Sequence, residues 1–549
     1  MKKNFEFDIS YSVDGVNYTA DRLKCDHFEI VLTEKEELLK AIIYPKCTIS
    51  NLEISIICTH LYAPDSKIFV NGYQSWSATR EFSIDEKLPR ANLFGMALKP
   101  LKAYGDENFF KYPPRGVFHA YTYGYIRDYN KVCLYGSMSE RSGFTILKFN
   151  AKHNSVTISK DLEGLTIDSP YEVFNIGYFE GEYDEVFDRY FSLQCLPGLR
   201  LKSLTGYSTC LTQGKKVNFQ DCIRDLLNFK MLDVCPMYYE IASGYQSKIG
   251  DWLTPKKGFG DMKNLVANIH SQGIRAGLWL APFACVKSSS VFKEHKDWLL
   301  KDAKGKFVKG GLDWDSINGF YVLDVLNPNV QDHLRKTIGT IVNDWDFDTV
   351  KLDYLYTACI IPRQNKTRGQ IMCEAMDFLR DCVGNKLIIG SGVPLGPAFG
   401  KVDFCRVSCD IQNKKWNIKT TKSYTTRESS STTNMLTDTI FRRHLNGRAF
   451  VNDPGFICLR EKDTLLNEEQ RLLITDVNKL FGGVLVISDD VSTYSEKSLD
   501  NIKDIFKEDE IEILEAEFMT KTIISISYTI NGIEQELVFD LQLGRVIRG

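Results

Sequence analysis

The segments CPMYYEIA (235–242), KNLVANIHSQG (263–273), RAGLWLAPF (275–283), DHLRKTIGTIVNDW (332–345), DTVKLDYLY (348–356), GQIMCEAMDFLRDCVG (369–384) and KLIIGSGV (386–393) decide the fold. Short apolar runs alternate here with stretches whose apolar residues recur at helical spacing. Runs that are apolar at nearly every position are buried on both faces, which is the mark of a parallel sheet covered by helices. Such runs fall near 207, 238, 279, 352, 389, 407, 451 and 486. Eight strand–helix units between 201 and 490 match a (β/α)8 barrel, which takes about 250 residues before insertions.

On either side of this region the period changes to two. From 1 to about 200, runs such as FEIVLTEKEELLKAIIY, SKIFVNGY and SVTISKDLEGLTI alternate apolar with polar residues and break at Gly, Asn, Asp and Pro. That pattern predicts an antiparallel β-sandwich. From 491 to 549, KTIISISYTI and QELVFDLQL alternate in the same way and predict a small antiparallel β-domain. The expected architecture is multidomain α/β plus all-β: a sandwich over 1–200, a TIM barrel over 201–490 and a C-terminal sheet over 491–549.

Composition narrows the partners. The 68 basic and 71 acidic side chains of the 549 residues leave a formal charge of −3. No whole-chain positive field exists to gather nucleic acid or anionic lipid. No run reaches the roughly 18 apolar residues of a membrane span, and MKKNFEFDIS lacks the apolar core of a signal peptide. The expectation is therefore a cytoplasmic protein acting on small polar molecules, with no nucleic-acid or membrane partner. Fifteen cysteines, with no Cys-x-x-Cys among them, read as buried reduced thiols rather than a zinc site. No phosphate-cradling glycine loop is present; neither a metal nor a cofactor is expected.

In a (β/α)8 barrel the reacting groups sit at the C-terminal ends of the strands. Asp353 in TVKLDYLY, Asp410 in CRVSCDIQ and Asp453 in FVNDPG satisfy that rule. A carboxylate entering an apolar strand is costly unless paired or hydrogen-bonded, so each has a purely structural reading as an acceptor. Asp353 and Asp410 together go further. They lie two β/α units apart, on strands four and six, facing one mouth. Two carboxylates across a pocket are what glycosidic bond cleavage uses. Lys351 and Arg406 share the faces of Asp353 and Asp410, where a cation keeps a carboxylate ionised. Lys351 also leaves open a different class, a Schiff-base aldolase.

The series GDWL (250–253), GLWLAPF (277–283), EHKDWLL (294–300), YVLDVLNP (321–328), VKLDYLY (350–356), GSGVPLGPAFGKVD (390–403), RVSCD (406–410) and NDP (452–454) resembles glycoside hydrolase family 36, the α-galactosidase or melibiase family. NGYQSW (71–76) is similar to the family's N-terminal domain signature. The resemblance implies a retaining glycosidase with Asp353 as nucleophile and Asp410 as acid/base. It further implies that Trp76, Trp279, Lys351 and Arg406 line the sugar pocket. Read without it, the two tryptophans are ordinary core residues.

Three departures bear on specificity. The family's Asp pair after strand two, which holds the galactose 4- and 6-hydroxyls, is replaced by Ala242 and Ser243. Cys210 stands at a sugar-facing Trp position, and the NDPD motif ends in Gly455. Hydrogen bonds to charged groups contribute about 1.5–3 kcal/mol each, so the two lost carboxylates remove roughly 3–6 kcal/mol of galactose recognition. The expected substrate is an oligosaccharide or glycoside with terminal α-linked galactose or a related, substituted sugar. A different glycone such as α-N-acetylgalactosamine and a weakly active carbohydrate-binding relative are the alternatives.

Overall fold

A computed structural model of the chain describes residues 5–89, 105, 113–311, 319–411, 416, 427–428 and 430–549. The N-terminal strands form two antiparallel seven-stranded sheets. In Ile49–Thr59, Ile54, Ile56 and Cys58 turn inward at every second position, and they meet Ile30, Ala41, Phe174 and Ile176 from the facing sheet in one core. Period two in sequence thus becomes a two-layer sandwich.

Beyond it the strands become parallel. They are Leu204–Ser208, Tyr238–Ile241, Arg275–Leu280, Thr349–Leu352, Leu387–Gly390, Phe404–Arg406, Val451–Asp453 and Val484–Ile487, one at each expected position. The first seven pair in sequence order, and Val484–Ile487 returns to pair with Leu204–Ser208. A ninth strand, Phe456–Ile457, pairs with Val484–Ile487, and only Pro454 and Gly455 separate it from Val451–Asp453. The two ends of the sheet are thereby joined by one bent strand, and the ring closes. Leu204, Tyr238, Ile389, Phe404, Val451 and Val486 fill its interior.

The covering helices start where side chains satisfy their first amides. Asn218 caps Phe219–Met231, Asp261 caps Met262–His270, Thr367 caps Arg368–Val383, and Asn467 with Gln470 forms a capping box on Glu468–Phe481. Ile511–Phe518, Ile523–Ile530, Ile533–Asp540 and Arg545–Arg548 make the C-terminal antiparallel sheet. The three parts interlock through Arg127 of the sandwich, which reaches Glu517 of the last sheet at 3.4 Å, and Phe441 of the barrel, which stacks on Phe518 at 5.3 Å. Among the described residues no helix is long and apolar enough to cross a membrane.

Candidate active site

A cavity of about 460 Å³ opens at the C-terminal ends of the barrel strands. Asp353 directly follows the fourth strand, and its backbone N–H donates to Leu280 O at 2.9 Å, extending the ladder with strand three. The chain then turns sharply, because Tyr354 takes a left-handed conformation at φ 54°. A non-glycine residue in that region costs of order 1–3 kcal/mol and persists only where its surroundings enforce it. The turn aims the Tyr354 N–H at Asp353 Oδ1, 2.8 Å away, while Trp279 Nε1 donates to Oδ2 at 2.9 Å. Burial lifts the Asp353 pKa above its ordinary value, and hydrogen bonds from Trp279 and Ser391 and the Lys351 charge pull against that rise.

Asp410 stands differently. Its side chain is 68% exposed and accepts from Arg406 Nη2 at 2.9 Å, while Arg406 itself is 4% exposed. Burial opposes the Arg406 charge, but Asp410 and Asp453 outweigh it and hold the guanidinium's pKa above normal. Gly455 makes room for this arrangement. Its φ is +104°, and a Cβ there would lie 2.4 Å from Arg406 Nη2. The glycine that ends the NDPG segment is therefore a backbone requirement of the arginine beneath it.

All eight residues singled out for the site line this one cavity: Trp76, Cys210, Ser243, Trp279, Lys351, Asp353, Arg406 and Asp410. Trp76 arrives from the sandwich and donates from Nε1 to Ser391 Oγ at 3.2 Å. The 71–79 loop that carries it is held by Arg442, fully buried, which donates to Asn71 Oδ1, Gln74 O and Ser75 O and also to Val407 O on the Asp410 side. Cys210 presents surface to solvent, yet its thiol is pushed up to about 12, first by burial and then by the charges of Asp410 and Glu240. Ala242 donates its N–H to Thr209 Oγ1, and Ser243 Oγ is 3.5 Å from Gln246 Nε2.

One expectation needs correction. Lys351 shares the face of Asp353, but its ion-pair partners are Glu240, at 3.5 Å, and Asp453, at 3.9 Å. Strand alternation placed the lysine in the barrel interior; which carboxylates meet it there depends on strands two and seven across the ring. Glu240 was not singled out from sequence, although it obeys the rule that found Asp353, a carboxylate inside the apolar run CPMYYEIA. Glu428, also in the cavity wall, accepts from Ser77 Oγ at 2.9 Å and carried no local signal.

Comparisons with known proteins bear on the family and the fold. Residues 238–375 match the Melibiase family model. Over 108 residues the chain is 31% identical to α-galactosidase Mel36A of Lactobacillus acidophilus, a stretch making up 20% of this chain and 14% of that protein. Over 132 residues it is 28% identical to the A type blood α-D-galactosamine galactosaminidase of Flavonifractor plautii, covering 22% of this chain and 12% of the relative. These matches thus span well under a fifth of the relatives' own lengths. In three dimensions the likeness extends much further: TtGalA, the α-galactosidase from Thermus thermophilus in complex with p-nitrophenyl α-D-galactopyranoside, superposes with a TM-score of 0.73 over 96% of this chain and 98% of that one, at 19% identity. The family-model match over the first part of the barrel, together with this shared fold, likens the chain to the α-galactosidases of glycoside hydrolase family 36.

Proposed function

We propose that the protein is a retaining α-glycosidase acting on terminal α-linked galactose or a related, substituted sugar. The observation that carries this reading is the placement of Asp353 and Asp410 in one cavity with unlike surroundings. Asp353, fixed by Trp279 and Tyr354, is the nucleophile that attacks the anomeric carbon. Asp410, open to solvent on Arg406, is the acid that protonates the leaving oxygen and then, as a base, takes a proton from the water that releases the sugar.

Ala242, Ser243 and Cys210 give the cavity wall small, uncharged side chains. Such a wall suits a sugar with a bulky substituent better than one needing charged acceptors for bare hydroxyls. The galactosaminidase among the relatives supports an amino or N-acetylamino sugar as the alternative glycone. A Schiff-base reading requires Lys351 as a neutral amine. Burial works toward that, but Glu240 and Asp453 outweigh it and keep the ammonium protonated well above its ordinary pKa. The reading includes a cytoplasmic location, a reducing setting that suits fifteen cysteines held as thiols.

Kinetics on nitrophenyl α-galactoside, α-N-acetylgalactosaminide, α-glucoside and α-xyloside test this proposal. Hydrolysis of at least one, abolished in both Asp353→Asn and Asp410→Asn while the fold is kept, is the expected result. A kcat/KM for plain galactoside above about 10⁴ M⁻¹s⁻¹, the lower end of ordinary efficiency, would contradict the altered glycone wall. Full turnover in either Asp→Asn variant would remove the mechanism.

A further inference from the structure

Glu240 lies on the second barrel strand two positions before Ala242, so both side chains face the barrel interior and both line the cavity. It is 2% exposed. An isolated carboxylate at such depth is very costly, and one that persists must be bonded. Its Oε1 accepts from Ser208 Oγ at 2.9 Å, and its Oε2 from Tyr238 OH at 3.1 Å. The tyrosine reaches it because Gly277 on the next strand has no side chain: a Cβ there would fall 2.1 Å from Tyr238 Cε2. Three strands thus cooperate to hold one carboxylate in the cavity lining.

The group paired with it is Lys351. Its Nζ is 3.5 Å from Glu240 Oε2 and 3.9 Å from Asp453 Oδ2, and 5.3 Å from the centre of the Phe456 ring. Arg406 stands 5.9 Å from the same ring. Two cations therefore share one corner, Lys351 paired with Glu240 and Asp453 and Arg406 with Asp410. Asp453 is partly committed, since its Oδ1 accepts the Gly455 N–H at 2.8 Å. Glu240 is the nearer and better-anchored counter-charge.

We propose that Glu240 is a positioning residue for the glycone pocket: clamped by Ser208 and Tyr238, it fixes Lys351 as an ammonium donor aimed at the sugar beside Asp353. An ammonium has three N–H donors. Held at ion-pair distance by Glu240 and Asp453, it has N–H donors to offer a sugar oxygen. The inference rests on the glycosidase reading for the identity of the ligand, but the Glu240–Lys351 arrangement stands by itself. Without Glu240, burial and the neighbouring Arg406 both favour the neutral amine, with Asp453 and the more distant Asp353 left to oppose them.

The test is Glu240→Gln, which keeps the shape and the Ser208 and Tyr238 partners but removes the charge, with Glu240→Asp as the conservative control. Acylation of Lys351 by a small anhydride, followed across pH by peptide mass spectrometry, reports its protonation without any substrate. Lys351 should resist labelling in the wild type and react at least tenfold faster at the same pH in the folded Gln variant, tenfold being one pK unit. The Asp variant should fall near the wild type. In the glycoside assay KM should rise in the Gln variant by more than kcat falls. An unchanged labelling profile in a folded Glu240→Gln protein overturns the proposal. If the labelling shift occurs while the wild type cleaves no α-glycoside, the Glu240–Lys351 assignment stands and the hydrolase reading is the one that fails.

Discussion

Trp279→Phe isolates one hydrogen bond on the proposed nucleophile. Trp279 Nε1 is 2.9 Å from Asp353 Oδ2, while the other oxygen keeps its bond from Tyr354 N at 2.8 Å. Phenylalanine preserves an aromatic ring against Trp252, whose ring centre lies 5.9 Å from that of Trp279, so packing changes little. A hydrogen bond to a charged group contributes about 1.5–3 kcal/mol, or roughly 1–2 pK units at about 1.4 kcal/mol per unit. The sign follows from which form is bonded. The indole N–H stabilises the ionised carboxylate, so removing it raises a pKa that burial already holds above its ordinary value. Attack needs the carboxylate; the acid limb of kcat/KM against pH should therefore move up by about one unit or more, while the alkaline limb stays in place. Initial rates with the best nitrophenyl α-glycoside, measured across both limbs in wild type and variant, give the answer. An acid limb that coincides in the two proteins would refute the role given to Trp279, and a shift downward would refute the assignment of Asp353 as the group that must ionise.

Two further substitutions test the frame around the pair. Gly455→Ala places a Cβ 2.4 Å from Arg406 Nη2 at a φ of +104°; the backbone strain alone costs about 1–3 kcal/mol, and kcat/KM should fall at least about tenfold as the guanidinium is driven from Asp410, with calorimetry showing a lowered Tm. Arg442→Met leaves Gln74 O, Ser75 O and Val407 O without their buried donor, so chemical denaturation should show a loss of about 3 kcal/mol or more, and KM should rise as the Trp76 loop loses its anchor.

The barrel was legible because each strand is a local apolar run, and burial on both faces leaves a signature that needs no knowledge of the partner. Asp353 and Asp410 were legible for the same reason: a charge at the end of an apolar strand is locally conspicuous. What meets across the ring was not. The partners of Lys351 lie more than 100 residues away on strands two and seven, and nothing in VKLDY selects Glu240 and Asp453 over Asp353. Glu240 itself is legible, since YYEIA breaks an apolar run with a carboxylate just before Ala242 and Ser243, where the resemblance to the α-galactosidases fails. Arg442 carried no signal, because an arginine in TIFRRHL reads as an exposed helix end until the loop from the sandwich folds over it.

That loop gives the N-terminal sheets a chemical reason to be part of the same chain. Trp76 Nε1 donates to Ser391 Oγ, and a hydroxyl has a single hydrogen of its own to give. With Trp76 donating to it, Ser391 can give that hydrogen to Asp353, whose carboxylate a bond from Ser391 helps to keep ionised. The indole does this from a half-buried place in the cavity wall, packed edge-on to Tyr354 at 5.0 Å, the residue whose left-handed turn aims the backbone N–H at Asp353. Gly392 is shaped to the same ring: its φ is +58°, and a Cβ would lie 3.0 Å from Trp76 Cζ2. One side chain from the sandwich therefore touches two of the three groups that hold the proposed nucleophile, and the barrel has cleared a backbone position to receive it. A barrel carrying Asp353 and Asp410 without residues 71–79 would keep both carboxylates but lose the indole donor on Ser391 and the ring against Tyr354, so the proposed catalytic unit is the sandwich and the barrel together.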